Sequence, residues 1–469
     1  MATTPQGHVA AVSWHNCYTT ESPDPRANLA GTLALVHAAQ AAGADLIELD
    51  VKSEAGVLRV DHNDDGGTEG ALLADVLADP DLRAGDQLLF LESKETEPDG
   101  AYLAALFDLL RANGYPSAGR PVALRAFHQI RANLTLAREL LGSPAYASLA
   151  GGVRLQELFA RREAPTVGGL QELVRRAARD GLHGVEFHYG TPNLFGALAY
   201  ARGLGLGVNV YTLPAERGEV FVAGLREVAD ALTVDCPVDR ARAVVEAESS
   251  LLHFDTWDQR AARGELSWRG PWGLPVTFAL ETYDSPVLAD WPAGQDLYGG
   301  VLELDARSRQ SLAFHDADNA ADGGYLVWAA VNFDVLALAD GDTATILGKG
   351  DGGGFTLELH DPPGPAAEVL RFGVYVQGTD HYATYPAARL NVVDSYFLVG
   401  AYDGDGEVRL WVDGDARRVR PGEARGGVGR NDLPVVLGAD PQGAAGRRFW
   451  FDGKVQAAQV LRWGPMGPP

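Results

Sequence analysis

The feature that most constrains this chain is a rhythm in its first 247 residues. Eight short, nearly continuous apolar runs alternate with Ala/Leu/Arg-rich stretches of helical pattern. The runs are His8–Trp14, Ala44–Val51, Gln87–Ser93, Pro121–Phe127, Ala145–Ala150, Gly184–His188, Gly207–Thr212 and Ala231–Asp235. Between them lie helical patterns at Leu29–Ala42, Ala101–Asn113, Leu155–Arg162, Leu170–Arg179, Leu194–Leu204 and Arg217–Asp230, and a short one at Leu72–Leu77. Strands without polar alternation are buried on both faces, as in parallel sheets. Eight strand–helix repeats over roughly 250 residues predict a (β/α)8 TIM barrel, with a doubly wound open sheet as the competing topology.

Near residue 250 the texture changes. Strand-like runs then recur between Gly, Asp and Pro turns, from Val276–Tyr283 through Phe355–Leu359, Val369–Val376 and Val408–Val412 to Lys454–Leu461. Many short strands with Asp-Gly turns predict an all-β antiparallel sandwich. The expected domains are therefore 1–247, a barrel, and 251–469, a sandwich of jelly-roll type. The join at Val244–Ser250 lacks Pro and Gly, so packed domains are expected rather than loosely tethered ones.

Bulk properties exclude several roles. A net charge of −24 argues against nucleic-acid binding, which needs a basic surface against phosphate. No run of about 18 apolar residues marks a transmembrane segment. The N-terminal stretch lacks a basic region followed by an apolar one, so the expectation is a cytoplasmic chain as given, or a secreted one if already processed. The two cysteines are too few for a disulfide scaffold. Cys17 follows strand one and Cys236 follows strand eight, which neighbour each other in a closed barrel, so the two are expected to lie close.

In a TIM barrel the chemistry sits at the C-terminal ends of the strands. Strand one ends in His15 and Asn16. Strand two carries Glu48 and Asp50, two apart and so on one face. His62 follows twelve residues after Asp50, and strand three closes with Glu92 and Lys94. Crowded carboxylates repel unless a cation lies among them, and an all-oxygen set suits Mg²⁺ or Ca²⁺ better than zinc. Arg125 near the end of strand four, Glu186 and His188 on strand six, and Tyr211 on strand seven are further candidates for the pocket wall. In the second half, Asp316, Asp318, Asn319 and Asp322 form an oxygen-rich loop, read as a solvated turn with a Ca²⁺ site as the alternative.

These motifs resemble, in order, those of the glycerophosphodiester phosphodiesterase family. Glu48-Leu49-Asp50 looks like its E-x-D strand, His62-Asn63 stands where it has His-Asp, and Glu92-Ser93-Lys94 looks like its E-x-K strand. Val208–Thr212 is similar to its V-x-V-W-T strand and Thr233–Pro237 to its closing T-D-x-P. The resemblance implies a metal-dependent phosphodiesterase acting on glycerophosphodiesters or lysophospholipids. Glu48, Asp50 and Glu92 would hold the metal, His15 and His62 would act as acid and base, and Lys94 would meet the phosphate. Asn16 replaces an arginine, Ala30-Gly31-Thr32 a Glu-Asn-Thr, and Tyr211 a tryptophan. Those departures point also toward related barrels that close a cyclic phosphate, as spider-toxin-type sphingomyelinase D and bacterial phosphatidylinositol phospholipase C do, or toward a barrel without turnover that serves binding. In the second half, Leu410–Gly414, Pro434–Gly438 and Phe451–Val460 resemble late strands of laminin-G-like, concanavalin-type sandwiches, which implies a glycan or surface ligand (lipid headgroup or protein), or a domain that only braces the barrel.

Overall fold

The computed structural model describes residues 10–20, 22–62, 70–117, 120–164, 166–226, 228–246, 250–255, 287–289, 301–307, 309–314, 323–350, 352–419, 423–442 and 446–464. The chain forms two compact units. One comprises Ala10–Tyr189 and Ala201–Arg242; the other includes Gly190–Tyr200 and the chain from Ala243 onward.

The first unit is a closed parallel barrel. Its strands are β1 (Ala11–Trp14), β2 (Leu46–Glu54), β3 (Leu88–Ser93), β4 (Val122–Phe127), β5 (Val153–Phe159), β6 (Gly184–His188), β7 (Gly207–Leu213) and β8 (Ala231–Val234). Each pairs with the next, and β1 bonds to both β2 and β8, which closes the ring. The open-sheet alternative is thereby excluded. An antiparallel ribbon, Val57–Val60 with Ala71–Leu72, extends β2 beyond the barrel.

The strand sequences stack the interior in layers. Leu46, Phe90, Ala123 and Ala231 pack together as an apolar floor. Two residues further along the same strands come Glu48, Glu92, Arg125 and Thr233. Period-two geometry therefore lifts a polar layer directly above the apolar one.

One stretch departs from the expected pattern. Ala145–Ala150 is not a strand; Ala147–Ala150 is a short helix, and the fifth strand is Val153–Phe159, inside the stretch expected to be helical. Leu, Gln and Glu favour a helix when isolated. Here ladders to β4 and β6 on both sides override that preference. Ala132–Leu141 is a helix not anticipated, and the helix expected over Arg217–Asp230 spans only Glu219–Leu225.

Among its described residues the second unit carries two main antiparallel sheets. The larger centres on Gly324–Phe333, flanked by Ser395–Tyr402 and Gly453–Trp463. The smaller runs Leu312–Phe314, Val435–Leu437, Thr343–Gly348, Phe355–His360, Val369–Val376 and Thr379–Pro386. Val327, Val331, Leu357, Phe372, Leu398 and Leu410 belong to the shared core. Gly190–Tyr200 belongs to this unit as well: Phe195 stacks on Phe397 at 4.8 Å and Trp328 at 5.5 Å, and the Asn193 side-chain carbonyl accepts the Ser395 N–H at 2.7 Å. The run Val276–Tyr283 and the loop of Asp316, Asp318, Asn319 and Asp322 lie outside the described residues. Among the described residues no helix is long and apolar enough to cross a membrane.

Candidate active site

Glu48, Asp50 and Glu92 come together at the C-terminal ends of β2 and β3, with carboxylate oxygens within 4.8 Å of one another. The ladder sets this directly, because Asp50 is the register partner of Glu92, which in turn pairs with Arg125. All three carboxylates are buried.

Arg125 is the hub beneath them. Its guanidinium lies over the Phe90 ring at 4.7 Å. Nη2 donates to Glu48 at 3.1 Å and to Glu92 at 3.0 Å, while Nη1 bonds both oxygens of Glu186 at 3.0 and 2.9 Å. The Thr233 hydroxyl donates to Glu186 at 3.2 Å. At 1% exposure, Arg125 underpins the carboxylate cluster from below.

Asp50 gathers three partners on one oxygen. Its Oδ2 meets Nδ1 of His62 at 2.5 Å, the Tyr18 hydroxyl at 2.6 Å and Nζ of Lys94 at 3.1 Å. Burial alone would raise its pKa, but the His62 hydrogen bond and the Lys94 charge outweigh burial and hold it at about 2. Glu48 is shifted the other way. Full burial and the charge of Asp50 push its carboxyl well up despite Arg125. Lys94 bridges Glu92 and Asp50, which hold its ammonium protonated against burial.

The second imidazole stands at the end of β1. Nδ1 of His15 bonds the Asp235 carboxylate at 2.7 Å, just past the end of β8. Next to it Asn16 adopts a left-handed backbone, φ 53°, and its N–H donates to Glu48 at 2.7 Å. Asparagine is among the few residues that enter this region readily, so Asn16 has a backbone use here that an arginine would fill less easily.

On the opposite wall, the Tyr211 hydroxyl donates to the Phe159 carbonyl at 3.0 Å, and its ring meets Phe127 and His188 edge-on at 5.9 Å. Burial, then the charge of Arg161, lower His188 to about 4, so it is neutral at neutral pH. Tyr18 and Asp235 are the partners not singled out from sequence. Tyr18 lies in a loop with no strand-end pattern to mark it, whereas Asp235 closes strand eight and could have been paired with His15 by the adjacency of β1 and β8. Cys17 and Cys236 are buried free thiols.

The residues present fit a divalent cation. Four carboxylates, Glu48, Asp50, Glu92 and Glu186, share the two cations Arg125 and Lys94. Glu48, Asp50 and Glu92 offer a compact, all-oxygen donor set, the kind hard cations such as Mg²⁺ and Ca²⁺ take, and a cation there would relieve the crowding that pushes the Glu48 carboxyl up.

No protein-family model matches the chain, and no curated protein is similar to it. Solved structures are similar to it piecewise. Over 50% of this chain and 99% of its own, a glycerophosphodiester phosphodiesterase from Agrobacterium tumefaciens str. C58 is 18% identical, with a TM-score of 0.34. The LG4-5 domains of the mouse laminin alpha1 chain cover 30% of this chain at 16% identity and a TM-score of 0.22; the chain spans 36% of that structure. The CBM40 domain of the Ruminococcus gnavus IT-sialidase, bound to alpha2,3 sialyllactose, covers 30% of this chain and 77% of its own at 15% identity, with a TM-score of 0.22.

Proposed function

We propose that the barrel is a metal-dependent phosphodiesterase acting on glycerophosphodiesters or lysophospholipid-type diesters. One observation carries this reading: two imidazoles, His15 fixed by Asp235 and His62 by Asp50 of the triad itself, flank the buried carboxylates Glu48, Asp50 and Glu92 at one end of the barrel.

The hydrogen bonds support the following roles. A carboxylate on Nδ1 favours the tautomer that carries the proton there, which leaves Nε2 to take up or release a proton. Asp235 does this for His15, and Asp50 for His62. A displacement at phosphorus needs one such group to deprotonate the attacking oxygen and another to protonate the departing one. Glu48, Asp50 and Glu92 would hold Mg²⁺ or Ca²⁺, which when bound supplies Lewis-acid stabilisation of charge developing on the phosphoryl oxygens. Lys94 sets a second positive charge beside the same oxygens. Arg125 and Glu186 keep the triad in register, and Tyr211 and His188 form an uncharged wall that suits the alcohol portion of a diester. For the C-terminal sandwich we propose a glycan ligand, the kind of ligand implied by the resemblance of Leu410–Gly414, Pro434–Gly438 and Phe451–Val460 to laminin-G-like strands.

The test is hydrolysis of bis(p-nitrophenyl) phosphate and of glycerophosphocholine with Mg²⁺, Ca²⁺ or Mn²⁺. Turnover should require one of these ions and vanish on chelation. His15→Ala and His62→Ala should each lower kcat by ~10²–10⁴-fold. Wild-type protein inert toward every diester with every ion, or variants as fast as wild type, would sink the proposal. Phosphorus NMR of the product separates hydrolysis from closure of a cyclic phosphate.

A further inference from the structure

The second unit contains a cavity of about 330 Å³ on the smaller sheet, on the side away from the shared core. Size places it at the lower end of small-molecule sites, where one or two sugar rings fit and a lipid chain or folded peptide does not. Its floor is built from alternate residues of paired strands. Leu357, Leu370 and Phe372 turn into the core, which leaves Thr356, Glu358, Arg371 and Gly373 on the cavity side.

The floor is rigid before anything binds. Arg371 bonds Glu358 through Nε at 2.7 Å and Nη2 at 2.6 Å, and the Thr345 hydroxyl holds the other oxygen of Glu358 at 3.2 Å. The guanidinium lies 4.1 Å from the centre of the Tyr382 ring. That ring covers Gly373 so closely that a Cβ there would sit 2.3 Å from it, so only glycine lets the tyrosine lie against the sheet. At the rim, Arg448 stacks on Phe449 at 4.2 Å and faces Asp440 at 3.6 Å. Phe449 is held at φ 54°, a conformation a bulky residue seldom adopts, with its carbonyl accepting the Thr345 N–H at 2.7 Å.

We propose that this cavity is the sandwich's glycan site and that it takes a neutral pyranose rather than an acidic one. The proposal rests on the glycan-binding reading of the sandwich and narrows it. A pyranose offers a flat C–H face and a rim of hydroxyls that both donate and accept. Tyr382 and Phe449 match the face, while carboxylates, guanidinium groups and hydroxyls in alternation match the rim. Glu358, Asp380 and Asp440 outnumber Arg371 and Arg448. Burial and the nearby Arg371 hold His360 below its ordinary value and so neutral. The lining is net negative, which disfavours a sialic acid carboxylate, a phosphate or a sulfate.

The full chain is titrated by calorimetry with lactose, maltotriose and 3′-sialyllactose, and screened on a glycan array. At least one neutral glycan should bind, and the sialylated one should bind about tenfold more weakly or not at all. Tyr382→Ala and the gentler, exposed Asp380→Asn should each weaken neutral binding about tenfold or more while the thermal melt of Asp380→Asn stays at the wild-type value. Neutral binding unaffected by both variants overturns the site but leaves the glycan reading standing. Preference for the sialylated glycan overturns the charge argument, and no binding to any glycan overturns the site and the reading together.

Discussion

Asp235 illustrates how much of the site depends on single side chains. It lies 2.7 Å from His15 and touches no other proposed catalytic group in the described contacts. Asp235→Asn should therefore leave metal affinity and KM near wild type and lower kcat about 10–100-fold, the usual effect of losing a group that orients a functional histidine. An equal fall in metal affinity would place Asp235 in the ion site instead. His188 gives a pH dependence of known sign. Its folded value is about 4, below the ~6.5 of an unfolded histidine. Stability from keeping it neutral is complete above ~6.5, declines as pH falls, and is lost on passing the folded value. Urea midpoints measured between pH 7 and pH 4 should fall, and His188→Phe should flatten part of that fall. An identical decline in the variant would show that the titration lies elsewhere.

At the scale of elements, the barrel was legible wherever a strand's polar residues stood at its C-terminal end. β2 and β3 declare themselves through Glu48, Asp50, Glu92 and Lys94, since period-two spacing alone puts the first three on the inner face. β5 was not legible, because Leu155, Gln156 and Glu157 are good helix formers and only the ladders on both sides make them a strand. The depth of Arg125 was hidden for a related reason. Sequence placed it near a strand end, but its burial depends on Phe90 below and on three glutamates from β2, β3 and β6. Removing that charge leaves buried carboxylates uncompensated, typically at ~3–5 kcal/mol. Arg125→Met should accordingly lower the melting temperature strongly, and Mg²⁺ or Ca²⁺ should recover part of it by meeting the freed charge. A melt insensitive to the substitution would mean that the glutamates are protonated in the folded protein.

For the whole molecule, the decisive question is where the proposed catalytic unit ends. Every residue proposed for the diester site precedes Asp239, so a fragment ending at Glu246 retains the complete constellation. The change of texture near residue 250 suggests that such a cut is clean. The compact units divide the chain differently, because Gly190–Tyr200 counts with the sandwich. Phe195 is 2% exposed, between Trp328 and Phe397, and Asn193 is bonded to Ser395 and Asp394. The fragment would leave this apolar segment in water, a loss comparable to emptying an aromatic position in a core, ~3–5 kcal/mol. It should still hydrolyse bis(p-nitrophenyl) phosphate with a kcat close to that of the full chain, but melt at lower temperature and aggregate. Phe195→Ser within the fragment should restore solubility without changing kcat, whereas Phe195→Ser in the full chain should destabilise it. Kinetics and melting curves of these three proteins beside wild type decide the matter. A folded fragment without turnover would show that the sandwich supplies part of the catalytic unit, and a fragment as stable as the full chain would return Gly190–Tyr200 to the barrel.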